Sequence, residues 1–270
     1  MALVRAIIPR GGNDETKFTQ ITEPSLKKIG VQVLQIMEKD PSKPENIFRK
    51  FNAGIEAMFQ TDLQDDDIVI FLHSDTAIVD NFFKSKVDLI FQEKKDVGLI
   101  GIAGSTEMTE LGGWWMNKPL SVDIGGNCSG ALVGHLIQGK SNGDMNQGNH
   151  LIKGPIGYFD NVVAVDGCIL ITQGKFIKEG IKFDDVSYQH NDFYDIDLCM
   201  QFLERGYKVA VADILVYHQS EGKGVFHENW KSSKEIFLNK WKSKGYTFPL
   251  DQSQFHMKPE VKSTLMEIEI

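Results

Sequence analysis

Three clusters of polar side chains stand where apolar runs of this chain stop. The first is His73-Ser74-Asp75, which closes the run Ile68-Val69-Ile70-Phe71-Leu72. That run is too short for an isolated helix and too apolar for a surface loop. It reads as a strand of a parallel sheet, buried on both faces. Ligands of open α/β sheets meet the carboxyl ends of such strands, so His73, Ser74 and Asp75 stand where a ligand or a metal ion is met. A hard divalent cation takes carboxylate oxygen, and a nucleoside diphosphate takes that cation. One Asp can hold the metal from the protein side while the diphosphate holds it from the other. The alternative for Asp75 is a cap on the next turn, a common place for Ser and Asp.

The second cluster is Tyr194-Asp195-Ile196-Asp197-Leu198-Cys199. Ile196, Cys199, Met200 and Leu203 recur at helical spacing, which puts both acids in the first turn of an amphipathic helix. A carboxylate there either takes a proton from an acceptor hydroxyl or simply complements the helix N-terminus. The third is His218, after the apolar strand Val209 to Val216. A neutral imidazole at a strand end completes a metal shell or lies in a surface turn. Weaker signals surround these. Asn52, near Lys50 and Gly54, is polar within an apolar helical stretch, and faces a ligand or is satisfied in the core. Trp114 and Trp115 can stack on a sugar face or pack inside. Asp166-Gly167, between two apolar stretches, is a tight turn or brings Asp166 to a ligand hydroxyl.

The elements that must position these residues alternate. Leu3 to Ile8 reads as a strand, stopped by Pro9 and Gly11-Gly12-Asn13-Asp14. Val31 to Ile36 is a second strand. Pro44 to Phe59 is a helix with Ile47, Phe48, Phe51, Ile55 and Met58 on one face. Ile68 to Leu72 is the third strand, Asp80 to Gln92 a helix, and Val97 to Ala103 a fourth strand. Such alternation implies a mostly parallel sheet with helices on both faces. Residues 104 to 160 are rich in Gly, Asn and Ser. They are long for a plain connection, and such segments are usually lids or binding loops. Regular structure resumes at Val162 to Val165 and Cys168 to Thr172, then in a helix from about Asp192 to Arg205. Trp230, Phe237 and Trp241 mark a last helix. No linker separates two domains. The chain is expected to form one domain over 1–270, in which the segments 1–103, 104–225 and a helical extension over 226–270 differ in character.

The bulk numbers narrow the function. The formal net charge of -8 argues against a nucleic-acid partner, which needs a basic face. It suits an anionic substrate whose charge is handled locally by a metal. With 41% apolar and 24% charged residues, the chain has the composition of a soluble globular protein with a full core. No signal peptide and no apolar run of about 18 residues is present, so no spanning helix is expected and the cytoplasm is the expected compartment. Cys128, Cys168 and Cys199 lack zinc or disulfide spacing and read as free thiols.

The order of these signals resembles the GT-A glycosyltransferases, most closely the family 2-like members. An apolar strand ending in His-Ser-Asp is followed by Gly-Trp-Trp, Val-Asp-Gly-Cys, Tyr-Asp-Ile-Asp-Leu-Cys and a strand ending in His. The resemblance runs from about Leu3 to Gly224. It implies a Rossmann-like central sheet with a smaller acceptor-side sheet, a nucleotide-sugar donor (a UDP-sugar foremost), and Mn²⁺ or Mg²⁺. His73-Ser74-Asp75 stands at the Asp-x-Asp position, where Asp75 matches the metal-holding carboxylate and His73 replaces the first Asp. His73, Ser74 and Asn52 are placed on the donor side by the same likeness. His218 matches the late metal-ligand His. Asp195 matches the catalytic base, with Tyr194 in place of Glu, and Asp197 matches the supporting acid. Asp166, Gly167, Trp114 and Trp115 fall near the donor sugar and acceptor. Pro9 and Arg10 fall in the nucleotide-binding loop. Transfer with inversion to a hydroxyl of a glycan or other acceptor is the implied reaction, with the loop from Gly104 to Tyr158 closing over the donor. The oligomeric state is open. Two other classes compete: a nucleotidyltransferase, which releases pyrophosphate, and a carbohydrate-binding module, which binds sugar without metal.

Overall fold

Seven strands form the central sheet of the computed structural model, which describes residues 2–11, 15–37, 46–117, 121–122, 128–134, 136–139, 145–147, 157–220 and 227–256. In chain order they are β1 (Val4–Arg10), β2 (Gln32–Met37), β3 (Ile68–Leu72), β4 (Val97–Gly101), β5 (Tyr158–Val162), β6 (Ile169–Gln173) and β7 (Lys208–Ala212). In space they lie in the order β5-β7-β4-β6-β3-β1-β2. β3 is buried along its whole length, as an apolar run flanked by strands on both sides must be.

β1 is parallel to β2 and to β3, and β7 is parallel to β4. The expected parallel setting of β3 holds on its β1 side only. On the other side β6 runs antiparallel, with Leu72 opposite Ile169 and Ile68 opposite Gln173. The cause lies in the route of the chain. β4 ends at the carboxyl edge of the sheet, Ala103–Ser105 follows it there and pairs with Ala164–Val165, and the chain enters β6 from that edge. A strand entering from that edge runs backward and needs no crossover. β5 is also reversed, against β7.

The four longest helices among the described residues are α1 (Ile47–Phe59), α2 (Phe83–Glu93), α3 (Tyr194–Glu204) and α4 (Glu228–Ser243). α1 buries Phe48, Phe51, Ile55 and Met58, a stripe at helical spacing. Asn46 caps it by accepting the Arg49 N–H at 3.1 Å; the expected start at Pro44 lies outside the described residues. Gly54 lets α1 come close to β1, since a methyl there would collide with the Ile7 side chain. α4 buries Trp230, Phe237 and Trp241, the three aromatics that marked it. One stretch was not foreseen. Glu15–Lys17, Phe18–Thr22 and Glu23–Lys28 form successive helical turns, the middle one a π turn, and bury Phe18, Thr22 and Leu26.

Two small sheets rise from the carboxyl edge. Ala103–Ser105 lies between Leu132–Gly134 and Ala164–Val165. Val216–His218 pairs with Thr76–Ile78 on one side and Ile137–Gly139 on the other, and Met145–Gln147 extends that sheet. The described parts of the expected covering segment, Gly104 to Tyr158, are therefore largely strands; much of the rest lies outside the described residues. At the opposite edge, Arg5 and Asp67 form a buried ion pair at 3.0 Å. Asp67 also accepts the Leu3 N–H at 2.8 Å and the Gln64 N–H at 3.1 Å. No helix among the described residues is long and apolar enough to cross a membrane.

Candidate functional site

The carboxyl end of β3 gathers the chemistry. Backbone pairing brings three other segments to it. The His73 N–H donates to the Cys168 carbonyl at 3.1 Å, which places the turn Asp166-Gly167-Cys168 alongside. The small sheet sets His218 opposite Thr76, one residue past Asp75. The Gln219 N–H then closes on the Asp75 carbonyl at 2.8 Å. Asp80 fixes this register by accepting the Leu215 N–H at 3.3 Å while capping Phe82 at 2.8 Å. The helical turns of residues 15–28 are tied in through Thr22, whose hydroxyl donates to the Ser74 carbonyl at 2.8 Å.

His73, Asp75 and His218 each offer a ligand atom, and these atoms lie within 4.8 Å of one another. His218 is buried, and neither of its ring nitrogens has a hydrogen bond of good geometry; Nε2 lies 3.3 Å from Asp75 Oδ1. A buried imidazole in that condition is short of a partner, and a cation supplies one. Burial works against the charge on Asp75, but the flanking His218, His73 and Lys17 hold its carboxyl well below the usual range. It is ionised at any pH at which a metal would be offered. The residues fit a divalent metal ion. Sequence reasoning assigned Asp75 and His218 to this role and put His73 on the nucleotide side. The structure adds His73 to the cluster, where its Nε2 is also 2.5 Å from the Tyr194 hydroxyl.

Tyr194 begins α3, and the next residue is Asp195. The turn into the helix is strained: Phe193 has φ 72° and ψ 5°, a left-handed conformation that a bulky residue rarely adopts. Packing holds it there, with the Phe193 ring centred 5.4 Å from both Trp230 and Phe237. Asp195 Oδ1 accepts the Ile196 N–H at 2.9 Å. Burial foremost, then the negative charge of Asp166, push the Asp195 carboxyl up to about 7, against backbone N–H groups of Ile196, Asp195 and Gly167 that favour its ionised form. A carboxyl that titrates near neutrality is suited to taking up a proton. Asp166 Oδ1 accepts the Cys168 N–H at 2.9 Å, so the Asp166-Gly167 segment is a tight turn. Gly167 is required beside Tyr194, because a methyl there would run into the phenol ring. Cys168 and Cys199 are buried free thiols, and burial pushes both upward.

The other sequence candidates are placed as follows. Asp197 is buried away from solvent. Its carboxylate accepts from the Tyr188 hydroxyl at 3.1 Å, the Trp241 indole at 3.0 Å, Lys240 at 2.9 Å and the Gln201 amide at 3.1 Å. It joins α3 to α4, because a buried carboxylate must collect donors wherever they stand. Asn52 is the satisfied core residue. Its amide donates to the Phe183 carbonyl at 2.8 Å and its oxygen accepts the Phe183 N–H at 2.9 Å. Arg10 is buried, donating to Gln35 at 2.6 Å and Glu15 at 2.5 Å with its guanidinium 3.9 Å over the Phe18 ring. Its carbonyl accepts from Lys50 at 2.7 Å. Pro9 stays within β1, opposite Ile36. Trp114 is buried, whereas Trp115 stands out at 39% exposure and meets Trp114 edge to face at 5.9 Å. Residues 12–14 of the expected nucleotide loop lie outside the described residues. Sequence reasoning missed Lys17, whose ammonium lies 3.3 Å from Asp75 Oδ2.

Residues 27–241 match the model of the glycosyltransferase-like family. No curated protein matches the chain by sequence. Among solved structures, GalNAc-T7 with UDP, GalNAc and Mn²⁺ superposes with a TM-score of 0.52 at 11% identity, over 94% of this chain and 53% of that one. The chain thus spans about half the length of that protein. Mannosyltransferase PcManGT from Pyrobaculum calidifontis, in complex with GDP-Man and Mn²⁺, gives 0.50 at 7% identity, over 94% and 68%. At these identities the likeness is one of fold, and the fold is GT-A.

Proposed function

The chain belongs to the glycosyltransferase-like family, and from that premise we propose that it moves a sugar from a nucleotide-sugar, a UDP-sugar foremost, to a hydroxyl of a glycan or other acceptor. The observation that carries this reading is the meeting of His73, Asp75 and His218 at the carboxyl edge of the sheet, with Tyr194 linking His73 to the start of the helix that holds Asp195. His73, Asp75 and His218 would hold the metal. Two imidazoles beside one carboxylate suit Mn²⁺ better than Mg²⁺, which prefers oxygen alone. When bound, the ion supplies positive charge to the departing nucleoside diphosphate.

Asp195 accepts the proton of the acceptor hydroxyl as its oxygen attacks the anomeric carbon from the face opposite the nucleotide. That is a single displacement with inversion. The proton goes to Asp195, and the electron pair of the broken glycosyl–phosphate bond goes to the nucleoside diphosphate. Trp115 offers an exposed ring face to a sugar. Asp166 keeps Asp195 basic enough to take the proton, and Ser74 stands beside the donor site on the metal loop. Residues 1–103 carry most of the donor side and residues 104–225 the acceptor side.

A screen of nucleotide-sugars for slow hydrolysis with Mn²⁺ tests this reading. We expect one donor to be hydrolysed, with the turnover abolished by chelator and by Asp75→Asn. Release of pyrophosphate from a nucleoside triphosphate and a sugar phosphate would identify a nucleotidyltransferase instead. Sugar binding that is indifferent to metal, with no donor turnover, would identify a binding module.

A further inference from the structure

Lys17 lies ahead of residues 27–241, so the family match does not reach it. Its position is nonetheless specific. The ammonium is 3.3 Å from Asp75 Oδ2 and donates to the Gln219 carbonyl at 2.9 Å. It thus bridges the two segments that carry Asp75 and His218. The other oxygen of Asp75 faces His218 Nε2. Among the described residues Asp75 is the only carboxylate of the cluster, and the Lys17 ammonium balances its charge.

We propose that Lys17 is a tethered counter-ion of the metal cluster, and that it becomes a phosphate ligand when the metal arrives with a nucleoside diphosphate. A divalent ion on Asp75 repels the ammonium and competes with it for the same carboxylate. A nucleoside diphosphate carries more negative charge than one divalent ion neutralises, and it attracts the ammonium. An ammonium has three donors, and the two contacts above leave one to spare. The side chain is 34% exposed, so it is not locked in place. Its four-carbon stem is flexible, while the backbone beneath it is anchored by buried Phe18 and by the bond from Thr22 to Ser74. The swing is therefore one of the side chain alone. It brings a second positive charge, beside the ion, to the leaving group.

The phosphate half rests on the donor reading above; the counter-ion half does not. Both are tested by titrating wild-type protein, Lys17→Met and Lys17→Arg with Mn²⁺ alone, and then with UDP and with GDP at saturating Mn²⁺, with thermal unfolding to confirm an intact fold. We expect Lys17→Met to bind Mn²⁺ alone about 3- to 10-fold more tightly, because its competitor is gone. It should bind the nucleoside diphosphate about tenfold more weakly, the loss of one charge-assisted hydrogen bond. Lys17→Arg should keep nucleotide affinity within about threefold. Tighter Mn²⁺ binding with no nucleotide bound by any form would support the counter-ion half and refute the donor reading and the phosphate half with it. Unchanged or weaker Mn²⁺ binding by Lys17→Met overturns the counter-ion, and unchanged nucleotide affinity overturns the phosphate ligand. Absence of Mn²⁺ binding by every form overturns the whole proposal.

Discussion

Replacing Asp195 by Asn should abolish transfer and, at alkaline pH, make the protein more stable. The Asp195 carboxyl sits at about 7 against an ordinary value of 3.8, raised first by burial and then by Asp166. A separation of about three pH units corresponds to about 4 kcal/mol of preference for the neutral form. The folded protein holds this proton more tightly than the unfolded chain does. Its contribution to stability is therefore complete below about pH 4 and is lost as pH rises through about 7. Above that pH the folded state carries an ionised Asp195 at a cost that Asn does not have. Asn accepts the surrounding N–H groups less strongly than a carboxylate, which offsets part of the gain and leaves about 1–3 kcal/mol. For a chain of this size that is about 2–4 °C in Tm per kcal/mol. Thermal unfolding of chelator-treated wild type and variant at pH 5 and pH 8 reads the effect, and the gap should open with rising pH. Transfer should fall by about 10²- to 10⁴-fold with donor affinity kept, and wild-type turnover should rise with pH toward a plateau above about 7. A stability gap that is the same at both pH values would refute the account of burial and charge. Transfer by the Asn variant at the wild-type rate would refute the base.

Two further substitutions separate the site from the scaffold. Asp67→Asn strips the buried Arg5 of its ion-pair partner and should cost about 3–5 kcal/mol in denaturant unfolding, while Mn²⁺ affinity stays unchanged because the pair lies at the opposite edge of the sheet. Gly167→Ala puts a methyl into the Tyr194 phenol, which should push that hydroxyl off His73 and lower Mn²⁺ affinity by about 10- to 100-fold; unchanged affinity would show that Tyr194 does not steady His73.

The sequence makes some of this legible for plain reasons. β3 is a five-residue apolar run because both its faces are covered, and α1 carries apolar residues at helical spacing because one face of it is buried, whereas α3 is buried nearly all round. The direction of β6 is another matter. Ile169–Gln173 has the same side chains whichever way it runs, and its direction follows from the pairing of Ala164–Val165 with Gly104–Ser105 at the carboxyl edge just before it. The helical turns of residues 15–28 were hidden by Pro24, which reads as a breaker, and by a buried set of only Phe18, Thr22 and Leu26, one of them polar. Lys17 went unnoticed with them. Asn52 was undecidable from its neighbours in sequence, because the backbone it satisfies, at Phe183, lies 131 residues away. Asp197 looked like Asp195 two residues earlier. Two residues along a helix turn a side chain by more than half a circle, so one acid faces the turn Asp166-Gly167 and the other meets Tyr188, Lys240 and Trp241.

The two departures from the GT-A pattern, His73 for Asp and Tyr194 for Glu, are one feature in space. The two side chains meet at 2.5 Å. Burial, followed by the charges of Asp195 and Asp166, holds the Tyr194 hydroxyl protonated far above neutrality, with Asp75 adding to the effect. Three acids thus already act on this spot. Carboxylates at positions 73 and 194 would add two more within the same buried space, and the like charges would oppose ionisation of Asp75 and Asp195 alike. An imidazole and a phenol would keep a metal ligand and a hydrogen bond without that charge. They also tie the metal cluster to the first residue of α3, so that the end of β3 and the start of the Asp195 helix are held by one bond. Asp75 is then free to stay ionised while Asp195 titrates near neutrality, which is the division of work that the proposed metal-assisted transfer to a hydroxyl would require.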